Sequence, residues 1–394
     1  MEPSPTPTAA PTKAYVVTFD AGVSSADQVT AVSSAGATTT DTIGVLRIHA
    51  VSASDAAVDA LRADERVDAV ELDRSRAVES TPDDAAYPDQ WALPIIGWDQ
   101  VYGTVDPSGS AIVAVLDTGV DASHPDLDDN IVSGASFVAG SSWSSDANGH
   151  GTAMAGIVAA ETGNGTGVAG VGFDGVNVMP ITVLGADGLG RDSDIVEGLV
   201  WAADHGADVA LMAFSANGYS SALQAAIDYA WSKGMVLVAA AGNDGSSTPA
   251  FPAGDAGVVG VSATNSDDAV AGFSNTGEAV FLGAPGAGIV TLSGTISGTS
   301  AAAAHVAGAA ALLAADDSSA SNGVIIGRLA RNADAIGTTG TTGNGRLNLA
   351  RAMSDTGTGA ARPAGVQAAD GGPYVGPYAA AGNGTVTGVI RNSV

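Results

Sequence analysis

Between about residue 90 and residue 353, five short apolar runs recur: AIVAVLDTG, VNVMPITVL, ADVALMAF, GMVLVAAAGN and AGVVGVSAT. Between them lie stretches that are apolar at helical spacing, such as DSDIVEGLVWAADHG and SSALQAAIDYAWSKG. A strand with one wet face alternates polar and apolar residues; these runs do not, so both of their faces must be covered. Strands of this kind alternating with helices predict a parallel, doubly wound α/β sheet between helical layers. In such sheets chemistry gathers at the carboxyl ends of the strands, so the residues that close each run become the candidates for function.

The segment before this region has a different texture. AYVVTFD, ATTTDTI, GVLRIHAV and VDAVELD read as strands, and SADQVTAVSSAG and SDAAVDALRADE as helices. The order is βαββαβ, a small ferredoxin-like α+β unit over residues 13–75. Residues 1–12, rich in Pro, Thr and Ala, are expected to be unstructured. Residues 76–89 read as a linker, 90–354 as the α/β domain, and 355–394 as a Gly/Ala-rich, flexible or loosely packed extension.

Composition narrows the function classes. The chain has 394 residues, 45% of them hydrophobic and 14% charged, which indicates a globular protein with at least one large core. Its net charge of −28, from 42 acidic and 14 basic residues, excludes nucleic acid and anionic membrane as expected partners, because phosphates would be repelled. No cysteine is present, which excludes a thiol nucleophile, disulfides and thiolate metal sites. MEPSPTPTAAPTK has no apolar core and is not a signal peptide as it stands: either the protein stays inside the cell or a leader has been removed. No apolar run is long enough to span a membrane.

Four residues stand at strand ends or helix starts. Asp117 closes the first run, where an acid most often caps or turns. Of the five histidines, His49 lies in the small unit, His124 in a turn, His205 at a helix end and His305 inside an alanine-rich helix, as a packed core residue. His150, in NGHGTAMAGIVAA, stands between glycines that let other backbone and a substrate approach. Asn243 closes VLVAAAGN, where a turn is the ordinary role and an amide aimed at a developing oxyanion the alternative. Ser300 opens the helix of SGTSAAAAHVAGAAALL. It is either a helix cap or a nucleophile beside free backbone N–H groups.

Singly, each residue favours its structural role; the order Asp117, His150, Asn243, Ser300 does not. The segments VAVLDTGVDASHPDL, GHGTAMAGIVAA, GTGVAGVG, AAAGN and SGTSAAAAHVAGAAALL, spanning about 110–315, resemble those of the subtilisin-like serine proteases. The resemblance implies a subtilisin-like sheet between helices. It makes Ser300 the nucleophile, His150 the general base and acid, and Asp117 the residue that orients the imidazole. The Asn243 side chain and the Ser300 N–H then form the oxyanion hole. Substrate would lie extended beside 184–192, at Gly185 and Gly188, and beside Ala213, Phe214 and Ser215. Ala250 would floor the pocket for the residue before the cleaved bond. A structural calcium ion is implied, held by the carboxylates of Asp84 and Asp126, the side-chain oxygen of Asn164 and the carbonyls of Thr162, Thr166 and Val168. No metal is implied for the chemical step. The small unit is similar to the family's propeptide, an intramolecular inhibitor cleaved off within 74–83. A secreted, monomeric endopeptidase acting on proteins or peptides is the expectation.

The sequence departs from the family at several places. Ala301 and Ala304 stand where Met and Pro are usual, and Ala153 where His is usual. Ala213-Phe214-Ser215 replaces Ser-Leu-Gly, which points to a reshaped or narrowed pocket. Two rival readings are an inactive module that keeps the fold for binding, and an esterase. Four intact site residues disfavour the first. The position of Ser after His disfavours the second, since esterases with a Gly-x-Ser-x-Gly elbow place Ser first.

Overall fold

In the computed structural model, which describes residues 12–73 and 81–366, the chain divides into two compact units, the first ending at Val78 and the second starting at Glu79. The first is built on β1 (Lys13–Phe19), α1 (Ser25–Ser34), β2 (Thr38–Ile43), β3 (Ile48–Ala53), α2 (Asp55–Arg62) and β4 (Val67–Leu72). Its antiparallel sheet has the order β2-β3-β1-β4. Alternation on β1 turns Tyr15, Val17 and Phe19 inward, where they meet Val32, Val58 and Leu61 of the helices. Ser24 and Ser54 cap the two helices by accepting from Asp27 and Ala57 N–H. GVLRIHAV is not one continuous strand. Gly44–Leu46 form a 3₁₀ turn, Arg47 takes a left-handed conformation, and only then does β3 begin.

The second unit carries α3 (Ala92–Ile95), β5 (Ala111–Asp117), β6 (Ala135–Ser136), α4 (His150–Ala159), β7 (Val176–Thr182), α5 (Asp192–Asp204) and β8 (Val209–Met212). There follow α6 (Ser221–Ser232), β9 (Val236–Ala240), β10 (Val258–Thr264), β11 (Leu282–Pro285), the hairpin β12 (Ile289–Thr291) and β13 (Gly294–Ile296), α7 (Thr299–Asp316), α8 (Asn322–Arg331), α9 (Thr339–Thr342) and α10 (Leu349–Ser354). Seven strands form a parallel sheet of order β11-β10-β9-β8-β5-β7-β6.

The continuous apolar runs are explained by two cores. On β5, Val113 and Val115 face a core shared with α4 and α7, while Ala114 and Leu116 face a second core with α5 and α6. β8 and β9 divide their residues in the same way. From β5 the chain goes to β6 and β7 on one side and then crosses to β8 on the other. Strand order thus reverses at β5, the point where sheets of this kind form a crevice at the carboxyl ends of the strands. α7 is buried almost all round, as an alanine-rich central helix must be.

Two boundaries differ from expectation. Residues 81–89, taken as linker, are anchored in the second unit: Gly163 N–H donates to Asp84 Oδ2 at 2.8 Å, Gly165 N–H to Asp83 Oδ1 at 3.1 Å, and Ala86 N–H to Gly167 O at 2.9 Å. Short polar residues here satisfy a glycine-rich loop rather than solvent. Residues 355–366, taken as loose, are pinned without forming helix or strand. Val366 N–H donates to Gly254 O and Gly257 N–H to Pro363 O, and Arg362 pairs with Asp228 over the Trp231 ring. Backbone pairing and an Arg clamp leave no periodic pattern to read. The readings for 1–11, 74–80 and 367–394 lie outside the described residues.

Candidate active site

Asp117 is the last residue of β5 and has no exposed surface. One strand over, the register pairs Leu116 with Met212, so Ala213 stands beside Asp117 at the crevice. His150 is the first residue of α4. The helix can start there because Gly151 has no side chain: a Cβ on it would fall 2.0 Å from Gly119 O. His150 Nδ1–H donates to both oxygens of Asp117, at 2.8 and 2.9 Å. A carboxylate only accepts, so the proton sits on Nδ1 and Nε2 presents its lone pair; Nε2 has no partner among the described residues. Burial opposes charging of this ring. The charge and hydrogen bond of Asp117, and the charge of Asp146, outweigh it and raise the pKa above the ordinary 6.5.

Ser300 lies in the first turn of α7. Its hydroxyl donates to Ala213 O at 2.7 Å, not to His150. The structure therefore joins Asp117 to His150 and puts Ser300 on the neighbouring strand end, with the Ser–His hydrogen bond unmade. Asn243 follows β9, and its Oδ1 accepts from Thr299 N–H at 2.8 Å and from the Thr299 hydroxyl at 3.0 Å. Holding the oxygen there fixes which end of the amide is free: Nδ2 keeps its donors. A Cβ on Gly298 would fall 3.5 Å from Asn243 Nδ2 and 3.8 Å from Ser300 N. The two donors thus border one small space, kept open by a glycine.

The residues expected to meet substrate have the following local contacts. Gly185 and Gly188 form a tight loop closed by Gly185 N–H to Leu189 O and Gly188 N–H to Gly185 O, both 2.8 Å. Asn148 Nδ2, in the turn before His150, donates to Ala186 O at 3.0 Å and ties this loop to the histidine. Ala216 and Phe251 exchange backbone hydrogen bonds of 2.9 Å, joining the segment after Ser215 to that after Ala250, which is buried. Phe214 is half-buried against the α5–α6 core. Ala153, Ala301 and Ala304 are buried in the α4–α7 core without loss of helix. His305, read as a core residue, is one: its Nδ1–H donates to Ala301 O, and burial pushes its pKa down to about 4.

A profile of the subtilase family matches residues 108–359. The chain is 41% identical over 264 residues to a thermophilic serine proteinase of Bacillus sp. (strain AK1), a match covering 65% of this chain and 64% of that protein. It is 39% identical to thermitase of Thermoactinomyces vulgaris, over 64% of this chain and 92% of that one. A solved protease structure from Pseudoalteromonas arctica superposes with a TM-score of 0.62 at 32% identity, covering 70% of this chain and 99% of that chain. The chain belongs to the subtilase family. Its enzyme class is that of a subtilisin-like serine endopeptidase, a hydrolase.

Subtilases are expected to hold calcium, and the residues present fit an oxygen-ligated cation. Asp84 and Asp126 are both buried. Asp84 Oδ1 has no hydrogen-bond partner, and the pKa of Asp126 is raised by burial and also by the Asp84 charge, against hydrogen bonds from Val168 N–H and Asn164. Two buried, mutually repelling carboxylates call for a positive charge. The Thr162, Thr166 and Val168 carbonyls accept no hydrogen bond among the described residues. A Cβ on Gly167 would fall 1.9 Å from Asp126 Oδ2, so glycine is required where the loop folds over the carboxylate. Asn164 differs from expectation in detail: its Nδ2 donates to Asp126 and its Oδ1 accepts from Thr166. Among the described residues no cluster of three or more Asp, Glu, His or Cys could hold a metal, so any site depends on backbone oxygens.

Sequence reasoning missed two residues beside the site. Thr299 orients Asn243, and Asp146, four residues before His150, holds the histidine turn together. Short polar residues in loops carry no periodic signal; only their partners reveal them.

Proposed function

We propose that this subtilase hydrolyses peptide bonds through an acyl-enzyme on Ser300 and is made as a self-processing proenzyme. The observation that carries the reading is the buried Asp117 bonded twice to His150 Nδ1–H, which leaves Nε2 free to act as a base. When substrate enters, the Ser300 hydroxyl turns from Ala213 O to Nε2. Its oxygen attacks the carbonyl carbon, the proton passes to Nε2, and the carbonyl π pair moves onto oxygen between Asn243 Nδ2–H and Ser300 N–H. Nε2–H then protonates the amine as the C–N bond breaks. Water repeats the sequence to release the acid and restore Ser300.

The small unit acts as the propeptide and as an intramolecular inhibitor, with processing inside 74–83. Its separate core supports this reading. Asp84, Asp126, Asn164, Thr162, Thr166 and Val168 hold a structural calcium ion, which when bound neutralises the two carboxylates. The substrates are proteins or peptides laid along Gly185, Gly188, Ala213, Phe214, Ser215 and Ala250. The enzyme works as a secreted monomer.

Expression of the chain and of Ser300→Ala with calcium tests the reading. The parent should shorten to a mature form, digest casein and take up a serine-directed sulfonylating reagent. The Ala variant should remain full length and unlabelled. A parent that stays intact, unlabelled and inactive would make the inert binding module the better account.

A further inference from the structure

We propose that Asp146 is a positioning residue for the general base: it fixes the turn that presents His150 to Asp117 and sets a second negative charge behind the imidazole. The inference rests on the serine-peptidase reading of the site.

The Asp146 carboxylate accepts five hydrogen bonds. Oδ1 takes the Thr118 hydroxyl at 2.8 Å, Gly149 N–H at 2.9 Å and Asn148 N–H at 3.1 Å. Oδ2 takes the Thr152 hydroxyl at 2.8 Å and Thr152 N–H at 2.9 Å. These donors come from three places: the residue after Asp117, the turn before His150, and the first turn of α4. Gly149, the N-cap of α4, has no side chain to cap with, so Asp146 supplies the acceptor from three residues upstream.

The two threonines extend the grip. Thr118 Oγ1 also accepts Gly151 N–H at 3.1 Å, and Thr152 Oγ1 accepts Asp121 N–H at 3.0 Å. Asp117 and His150, 33 positions apart, are thereby cross-linked through one carboxylate on both flanks of their own hydrogen bond. Burial alone would raise the pKa of Asp146, but its hydrogen bonds from Thr152, Gly149 and Thr118 hold it below the ordinary range. Those hydrogen bonds favour its ionised form.

The other elements around His150 bring little competing charge. Asp117 ends β5, Asp121 lies in the loop beyond it, and the loop tied by Asn148 carries the exposed Asp187. The β12–β13 hairpin brings only Ser293, donating to Gly149 O, and α7 brings Ser300. The charges acting on the ring are those of Asp117 and Asp146.

The experiment compares Ser300→Ala with Ser300→Ala/Asp146→Asn in the full chain, following the His150 ring by NMR against pH. With five histidines the ring is assignable by single substitution. Losing the charge should lower the His150 titration midpoint by about half a unit or more. In the active enzyme, Asp146→Asn should cut kcat per titrated site by about tenfold or more, with KM unchanged and the acid limb moved to lower pH. Thr118→Val keeps the charge but breaks the bridge, so kcat should fall while the limb stays. An unmoved midpoint together with parental kcat per titrated site would reduce Asp146 to a helix cap and overturn the proposal. If Asp146→Asn does not fold, a parental kcat in Thr118→Val overturns it alone. The midpoint is read without turnover, so it stands even where the parent proves not to be a peptidase.

Discussion

A single methyl group at residue 298 would sit between the two donors meant for the oxyanion. Gly298 is extended, with φ of 171°, so alanine is conformationally allowed there, and 3.5 Å from Asn243 Nδ2 is ordinary contact. Gly298→Ala should therefore fold with near-parental Tm yet lose most of its turnover; calorimetry beside peptide-nitroanilide kinetics checks both halves. Asn243→Ala should lower kcat by about 10²–10³ with little change in KM, a magnitude known from a subtilisin oxyanion-hole donor rather than worked out from this geometry. His150 must be neutral to accept a proton, and its pKa is raised, so kcat/KM should rise with pH along an acid limb above 6.5. A limb well below that value would mean that Asp117 does not act on the ring as the geometry says.

At the scale of an element, the segment 251–257 carries a buried acid that the site does not use. Asp255 is buried, and neither carboxylate oxygen has a partner. Burial, and then the charges of Asp192 and Asp228, push its pKa from 3.8 to about 7. A carboxyl raised on folding is held protonated by the native state. Its contribution is fully present below the unfolded value and is lost as pH climbs through the folded one. The second unit should thus lose stability between about pH 4 and 7, by the order of a few kcal/mol. Asp255→Asn, made in Ser300→Ala to prevent self-digestion, should flatten that decline and raise Tm above pH 7. An unchanged Tm–pH curve would show that water or an ion satisfies the carboxylate. In the first unit, burial lowers the pKa of His49, which bonds Gln28 and Thr42. That base stays neutral, so its contribution is lost in the opposite direction, as pH falls below about 6.5. Protection factors of β1 and β3 amides in the whole chain, corrected for the pH dependence of intrinsic exchange, should fall on acidification.

For the whole molecule, the proposed cation is where distant parts of the chain meet. Asp84 precedes β5, Asp126 follows it, and the 162–168 loop follows α4. A ligand bound only by the native state stabilises by about 2.7 kcal/mol at a hundredfold excess over Kd. Chelation should accordingly lower Tm by several degrees, and Asp84→Asn should remove most of that dependence on calcium; equal melting with and without chelator would count against the site. Both parts of the fold were legible in advance because burial leaves a pattern: Val113, Ala114, Val115 and Leu116 announce a strand covered on two faces. The order of residues 81–89 and 355–366 was not legible, because it comes from backbone pairing and polar clasps, such as Asp84 on Gly163 and Arg362 on Asp228, which leave no periodicity.

The sequence by itself determined that this chain folds as a small α+β unit followed by an α/β unit, and that it carries an aspartate, a histidine, an asparagine and a serine at strand ends and helix starts. Apolar periodicity and local turn chemistry are properties of neighbouring residues, and a sequence displays them directly. Only the tertiary structure decided that Asp117 bonds His150 twice, that Ser300 rests on Ala213 rather than on the imidazole, and that Thr299 aims Asn243. It alone revealed Asp146, whose five donors are gathered from two loops and a helix. Hydrogen bonds across tens of residues depend on distances and directions that exist only once the sheet and its helices are packed.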